Sequence, residues 1–233
     1  MVEVGGRPVL WHIMKVLGAQ GIKDFIICTG YKSEYIKNYF YNYGASNLDF
    51  TVTLGNQGSA IFHGSHDEFD WTVTVVDTGP LTPTGGRISQ VEKYLDGEPF
   101  FCTYGDGIAD VNLAALRASH QASGKIATMT TAQPNSRFGV VDVDDQGTVT
   151  KFREKPKTTD LVNIGYFIFE SEIFDYLKLD STLEEQPLRE LAAQSQLSTF
   201  RHDGFWQPMD TYREAQLLNE YWQSGSAPWK IWN

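Results

Sequence analysis

Asp106 stands in Tyr104-Gly105-Asp106-Gly107, directly after the apolar run Pro99-Phe100-Phe101-Cys102-Thr103. Ligands of open α/β sheets collect beyond the carboxyl ends of the strands, and an acid placed there between two glycines has room to meet a phosphate-bound metal. Asp106 is therefore a candidate Mg²⁺ ligand, although the same residue also reads as a turn aspartate. A second acid, Asp210, lies in Trp206-Gln207-Pro208-Met209-Asp210-Thr211, just ahead of the last long helix. Mg²⁺ takes one or two carboxylates and completes its shell with phosphate oxygens and water, so two such acids suffice for a metal-nucleotide site. Asp210 also reads as a cap for the helix from Thr211 onward. Spacing alone does not say whether the two acids meet.

Phe152-Arg153-Glu154-Lys155-Pro156-Lys157 closes an alternating strand with an acid beside a base. A glutamate can accept hydrogen bonds from two sugar hydroxyls, and a lysine offers a point charge to a phosphate; a solvated strand end has the same composition. Asn163 begins another strand and carries both a donor and an acceptor, in a position a turn residue would also occupy. Thr84-Gly85-Gly86-Arg87 precedes a helix, where bare backbone can approach a flat base and Arg87 can reach a base edge or a phosphate. It has neither GxGxxG nor Walker spacing, so a dinucleotide-binding fold and a P-loop NTPase are not supported. Of the five histidines only His63 and His66 are close in sequence, and they read as loop residues. No Ser, His and Asp set and no Cys and His set is suggested.

The elements that must position these residues follow an α/β order. An amphipathic helix over Val9 to Leu17 follows Pro8 and ends near Gly18 and Gly21. A buried strand at Asp24 to Cys28 is followed by a helix that Ser33 can cap and that runs to about Tyr43. Strand-like segments appear at Phe50 to Leu54 and Trp71 to Val76, with an unassigned connection between them. A helix over about Gly86 to Leu95 precedes the strand at Pro99 to Tyr104, and one over about Asn112 to Ser123 precedes Ile126 to Ala132. This order predicts a mostly parallel sheet with helices on both faces.

Past Pro134 the pattern changes to alternating runs at Phe138 to Val143, Gly147 to Arg153 and Asn163 to Phe169, which predict a smaller, partly antiparallel lobe. Helices at about Leu183 to Ala193 and Thr211 to Trp222 bracket a last strand near Leu197 to His202. No Pro-, Ser- or Gly-rich linker divides the chain, so a nucleotide-binding part over about 1–133 and a second part over about 134–233 belong to one body.

Composition narrows the partners. At 233 residues the chain can bury a substantial core, and its 41% hydrophobic residues contain no run near the roughly 20 that a membrane helix needs. A net charge of -10 argues against a duplex nucleic acid partner, which is held by clustered Lys and Arg. Met1 to Pro8 have neither the basic start nor the long apolar stretch of a secretory signal, which places the mature chain in the cytoplasm. The two cysteines, Cys28 and Cys102, sit in strand-like runs and read as buried free thiols.

Taken together and in order, Val4-Gly5-Gly6-Arg7-Pro8, Thr84-Gly85-Gly86-Arg87, Tyr104-Gly105-Asp106-Gly107, Phe152 to Lys157 and Trp206 to Thr211 resemble the sugar-1-phosphate nucleotidyltransferases. The likeness covers nearly the whole chain, including the tail from Trp222 to Lys230. It implies a nucleotide-binding α/β domain with a smaller sugar-binding part, and a reaction that joins a nucleoside triphosphate to a sugar 1-phosphate and releases pyrophosphate. Within the family the likeness is greatest to members that use CTP and glucose 1-phosphate and make CDP-glucose. The same reaction with dTTP or UTP, and a non-catalytic nucleotide-sugar binding protein, are the alternatives.

Carried over by resemblance, Asp106 and Asp210 bind Mg²⁺, and Thr84, Gly85, Gly86, Arg87 and Gly105 lie at the nucleotide. Tyr104, Gly139, Glu154, Lys155 and Asn163 surround the sugar phosphate, with Lys155 also catalytic. A homo-oligomer is implied as well. The chain departs from the family at its front: the resemblance implies about two dozen residues ahead of Met1, with a first strand, a glycine-rich loop ending in Gly-Thr-Arg and a lysine for the triphosphate. That strand would be central in the sheet, and without it neighbouring strands keep unpaired backbone groups.

Overall fold

The structure is a computed structural model and describes residues 2–55, 60–136 and 138–232. The chain begins with a small hairpin, β1 (Glu3–Val4) and β2 (Arg7–Pro8), whose two turn residues, Gly5 and Gly6, have φ of 58° and 77°. Positive φ at both positions is what a tight two-residue hairpin turn demands and what glycine supplies without strain. Helix α1 (Val9–Ala19) follows at once and buries Val9, Ile13, Met14, Val16 and Leu17 in the main core.

Strand β3 (Asp24–Thr29) leads to α2 (Ser33–Tyr41), α3 (Tyr43–Asn47), the hairpin β4 (Asp49–Val52) and β5 (Ala60–His63), and β6 (Thr72–Asp77). Strands β3 and β6 pair in parallel from Asp24↔Thr72 to Thr29↔Asp77. Next come α4 (Thr84–Ser89), β7 (Phe100–Thr103), β8 (Gly107–Ala109), α5 (Leu113–Ser123) and β9 (Ala127–Ala132). Helix α5 is capped at its start by the Asn112 side chain, which accepts from the Ala115 N–H, and ends at Gly124 with φ of 59°. The remaining elements are β10 (Val140–Val143), β11 (Val149–Arg153), β12 (Val162–Phe169), α6 (Gln186–Ala193), β13 (Leu197–Arg201), β14 (Trp206–Pro208) and α7 (Tyr212–Gln223).

The four-stranded sheet has the order β13-β9-β12-β7. The β13 and β9 strands are parallel, whereas β12 runs antiparallel to both of its neighbours. The fold is α/β with parallel pairs, as expected, but Val162 to Phe169 does not stay in a separate lobe. It enters the main sheet because its last six residues, Ile164 to Phe169, are all buried and need cover on both faces. Among the described residues β3 pairs only with β6, and β7 only with β12, so each keeps one free edge.

Several local expectations change. The helix expected over Gly86 to Leu95 is the shorter α4, followed by a 3₁₀ turn at Glu92–Tyr94. Ser33 does not cap α2; Lys32 occupies that position at φ of 57°, and the Ser33 hydroxyl donates to Asp77 instead. The connection left without assignment contains β5, so His63 lies on a strand and its ring pairs with the Thr51 hydroxyl. Helix α6 begins at Gln186 rather than Leu183, which leaves Glu184 in the preceding loop. The C-terminal tryptophans pack within the chain: Trp229 is fully buried and its indole N–H donates to His12 Nδ1, while His12 Nε2–H meets the Val4 carbonyl at 2.8 Å.

Candidate active site

Asp106 and Asp210 are brought together by a strand pair that neither local sequence announces. Strand β14 pairs antiparallel with β8, matching Trp206 to Ala109, Gln207 to Ile108 and Pro208 to Gly107. The Met209 N–H then donates to the Asp106 carbonyl at 3.0 Å, so the two acids stand at the same end of the ladder. From below, the Tyr166 hydroxyl donates to the Gly107 carbonyl. The turn into β14 is fixed by Asp110, which accepts from the Phe205 N–H at 2.7 Å and lies 3.2 Å from His202.

Asp106 is open to solvent yet half surrounded by protein, and this partial desolvation raises its carboxyl above the usual aspartate range; the neighbouring charge of Asp210 is the second cause. Two carboxylates that repel one another in this way form an all-oxygen donor pair suited to a hard divalent cation. Among the described residues no group of three or more His, Cys, Asp or Glu side chains converges, so phosphate oxygens and water would supply the remaining ligands. The reading of Asp210 as a helix cap is corrected. Thr211 caps α7 through a capping box with Glu214, whose carboxylate also accepts from the Asp210 N–H, and the Asp210 side chain has no part in the cap.

Thr84, Tyr104 and Asn163 form a second group. The Thr84 hydroxyl donates to Glu184 Oε2 at 2.8 Å, and the Tyr104 hydroxyl donates to Glu184 Oε1. Asn163 stands near the same phenol, and its Oδ1 accepts from the Gly165 N–H. Burial, then the hydrogen bond to Glu184, pushes the Tyr104 phenol far up, which keeps it a donor at every physiological pH. Glu184 was not singled out from the sequence, and no spacing marks it.

Gly85 and Gly86 are buried, with their Cα atoms close against the segment before α6. A Cβ on Gly86 would be driven into the Leu179 carbonyl, and one on Gly85 would sit 2.8 Å from the Ser181 carbonyl. Arg87 is also engaged: one guanidinium nitrogen donates to the Thr29 carbonyl at 3.0 Å and to the Thr78 hydroxyl at 2.7 Å, at the carboxyl ends of β3 and β6. Gly105 is exposed beside Asp106 with open space around its Cα.

Gly139, Glu154 and Lys155 gather at the root of the β10 and β11 hairpin. A Cβ on Gly139 would lie 3.2 Å from Glu154 Oε2, and Lys155 Nζ stands 3.8 Å from Glu154 Oε1. Lys155 has φ of 43°, a left-handed conformation that a non-glycine residue holds only at a cost. Among the described residues no hydrogen bond or ion pair joins this cluster directly to Asp106 or Asp210. A cavity of about 610 Å³ lies elsewhere, between α2 and β6, lined by Lys37, Phe40, Tyr43, His66, Glu68 and Trp71, and it shares no residue with the acids.

The nucleotidyl transferase family model matches residues 1–211. The chain belongs to the nucleotidyl transferase family. Across its full length it is 46% identical to a glucose-1-phosphate cytidylyltransferase of Salmonella typhi, covering 90% of that protein, and 38% identical to a probable glucose-1-phosphate cytidylyltransferase of Bacillus subtilis, covering 91%. The fold of this nucleotidyl transferase is shared with HddC from Yersinia pseudotuberculosis, at a TM-score of 0.66 and 19% identity over 95% of this chain and 88% of that one. A UDP-glucose pyrophosphorylase without ligand matches with a TM-score of 0.66 at 15% identity, over 97% of this chain and 90% of that one. The fold expectation of a nucleotide-sugar transferase type is thereby met, and the chain is an enzyme of the nucleotidyltransferase class. No helix among the described residues is long and apolar enough to cross a membrane.

Proposed function

We propose that this nucleotidyl transferase moves the cytidylyl group of CTP to the phosphate of α-D-glucose 1-phosphate, giving CDP-glucose and pyrophosphate. The end-to-end 46% identity to a glucose-1-phosphate cytidylyltransferase carries the assignment of substrates. The pairing of Asp106 with Asp210 supports a site for the chemistry.

A phosphate monoester, with a second pKa of about 6, is largely dianionic near neutrality and needs no strong general base. One of its oxygens forms a bond to the α-phosphorus of CTP as the bond to pyrophosphate breaks. The residues therefore align and neutralise rather than move protons. Asp106 and Asp210 would hold Mg²⁺, which when bound supplies positive charge at the phosphate oxygens. Lys155 holds the attacking phosphate, and Glu154 accepts from sugar hydroxyls, with Gly139, Asn163 and Tyr104 completing that wall. Thr84 to Arg87 and Gly105 border the nucleotide. The part over about 1–133 carries the nucleotide side and the part over about 134–233 the sugar side.

The enzyme is cytoplasmic and a homo-oligomer; exposed Phe50, Val52, Ile61 and Phe62 on the β4 and β5 hairpin support self-association.

Pyrophosphate release from CTP, dTTP and UTP, each with glucose 1-phosphate, tests the assignment. CTP is expected to exceed the others by on the order of 10-fold or more in kcat/KM. A preference for dTTP or UTP, or tight binding of CDP-glucose with no release of pyrophosphate from any of the three, would overturn it.

A further inference from the structure

The geometry points to Glu184 as a positioning residue that sets the nucleotide side of the site against the sugar-phosphate side, an inference that rests on the proposed function for what the two sides hold. Its two carboxylate oxygens are divided between two elements far apart in sequence. Oε2 accepts from Thr84, the first residue of α4, and Oε1 accepts from Tyr104, two residues before Asp106. The Thr84 hydroxyl is used twice, since its oxygen also accepts the Leu183 N–H at 2.9 Å. A backbone contact fixes α4 to the loop that carries Glu184, with the Gly86 N–H donating to the Ser181 carbonyl at 3.0 Å. The Tyr104 ring packs over Gly165, in space that any Cβ there would take.

A carboxylate exposed beside a site for a triphosphate and a phosphate is electrostatically unfavourable toward both substrates. Its place there is explained by what it accepts: two neutral hydroxyls, each donated from a different side of the cleft. A carboxylate is the side chain that can accept from both at once, and bonds to a charged acceptor are stronger than neutral ones. Among the described residues no lysine, arginine or histidine forms an ion pair with Glu184, and its side-chain partners there are the two hydroxyls. Glu184 touches neither the acids nor, on this geometry, the reacting atoms. It acts through Thr84 and Tyr104.

Calorimetric titration of the full 233-residue chain with CTP, and separately with glucose 1-phosphate, tests this alongside amide exchange of the ligand-free chain. Glu184→Ala is expected to weaken both ligands by roughly 10-fold, whereas Thr84→Val weakens mainly CTP and Tyr104→Phe mainly glucose 1-phosphate. Glu184→Gln, which keeps the shape but can accept from only one of the two hydroxyls and carries no charge, is expected to restore only part of the loss. In the ligand-free chain Glu184→Ala should speed exchange in 84–89 and 104–107 together. If unmutated chain binds neither ligand, the proposed function fails while the exchange result still decides the bridge. Unchanged exchange in both segments, or equal affinities for Glu184→Ala and the unmutated chain, would refute it. Should Glu184→Ala not fold, Thr84→Val and Tyr104→Phe carry the same test, and loss of the same ligand in both would refute it.

Discussion

The Met209 N–H is hydrogen-bonded to the Asp106 carbonyl at 3.0 Å, and this contact, at the end of the β14 and β8 ladder, places Asp210 beside Asp106. The repulsion that follows contributes to the raised Asp106 carboxyl, after partial desolvation. Neutralising Asp106 therefore relieves the folded chain while removing a metal ligand. Asp106→Asn is expected to melt about 1–2 °C higher than the unmutated chain at pH 7 without divalent cation, a small gain because the site is solvent-screened. Adding Mg²⁺ should stabilise the unmutated chain and not the variant, and turnover should fall on the order of 100-fold or more. The sign is set by the raised pKa: stability from this group is present below the unfolded pKa and lost as pH rises through the folded one. Melting curves with and without Mg²⁺ at pH 4 and pH 7 check both statements.

Gly86 is enclosed, and a methyl group there would be forced into the Leu179 carbonyl oxygen, which belongs to backbone that cannot rotate aside. Gly86→Ala is expected to destabilise by about 2–3 kcal/mol, the range of overpacked cores, and to lower Tm by roughly 5–10 °C. Gly105→Ala, with open space at its Cα, should leave Tm within about 1 °C. Thermal unfolding of the two variants side by side decides it.

Lys155 holds φ of 43°, a conformation that costs a non-glycine residue on the order of 1 kcal/mol. Lys155→Gly should therefore leave Tm unchanged or raise it by about 1–2 °C while cutting kcat/KM on the order of 100-fold, with the loss concentrated in KM for glucose 1-phosphate. Equal loss with both substrates, measured by initial rates, contradicts the assignment of Lys155 to the sugar phosphate.

His12 is fully buried among Trp11, Trp222 and Trp229, and burial lowers its pKa from 6.5 to about 4, against a smaller raising effect of the Val4 carbonyl. The unfolded chain thus binds a proton that the folded chain refuses. Stability from this group is complete above pH 6.5 and is lost as pH falls toward 4, by up to about 3 kcal/mol. His12→Gln should flatten the pH dependence of denaturant unfolding between those limits. A slope unchanged by the substitution places the acid sensitivity elsewhere.

The sequence by itself determined the alternation of strands and helices, the start of α5 near Asn112, and the list of residues able to do chemistry. These follow from local causes: apolar periodicity, glycine and proline at breaks, and acids at strand ends. Helix limits were less legible where glycines interrupt the pattern, as in α4, and where an acid next to a threonine made either one the cap, as at Asp210 and Thr211. Only the tertiary structure decided which candidates share a site. Asp106 meets Asp210 through a register between strands about a hundred residues apart, β12 is drawn into the main sheet by burial on both faces, and Glu184 joins Thr84 to Tyr104 from a loop with no pattern of its own. Such pairings are selected by sheet register and by which apolar faces must be covered, and neither quantity is written in the spacing of neighbouring residues.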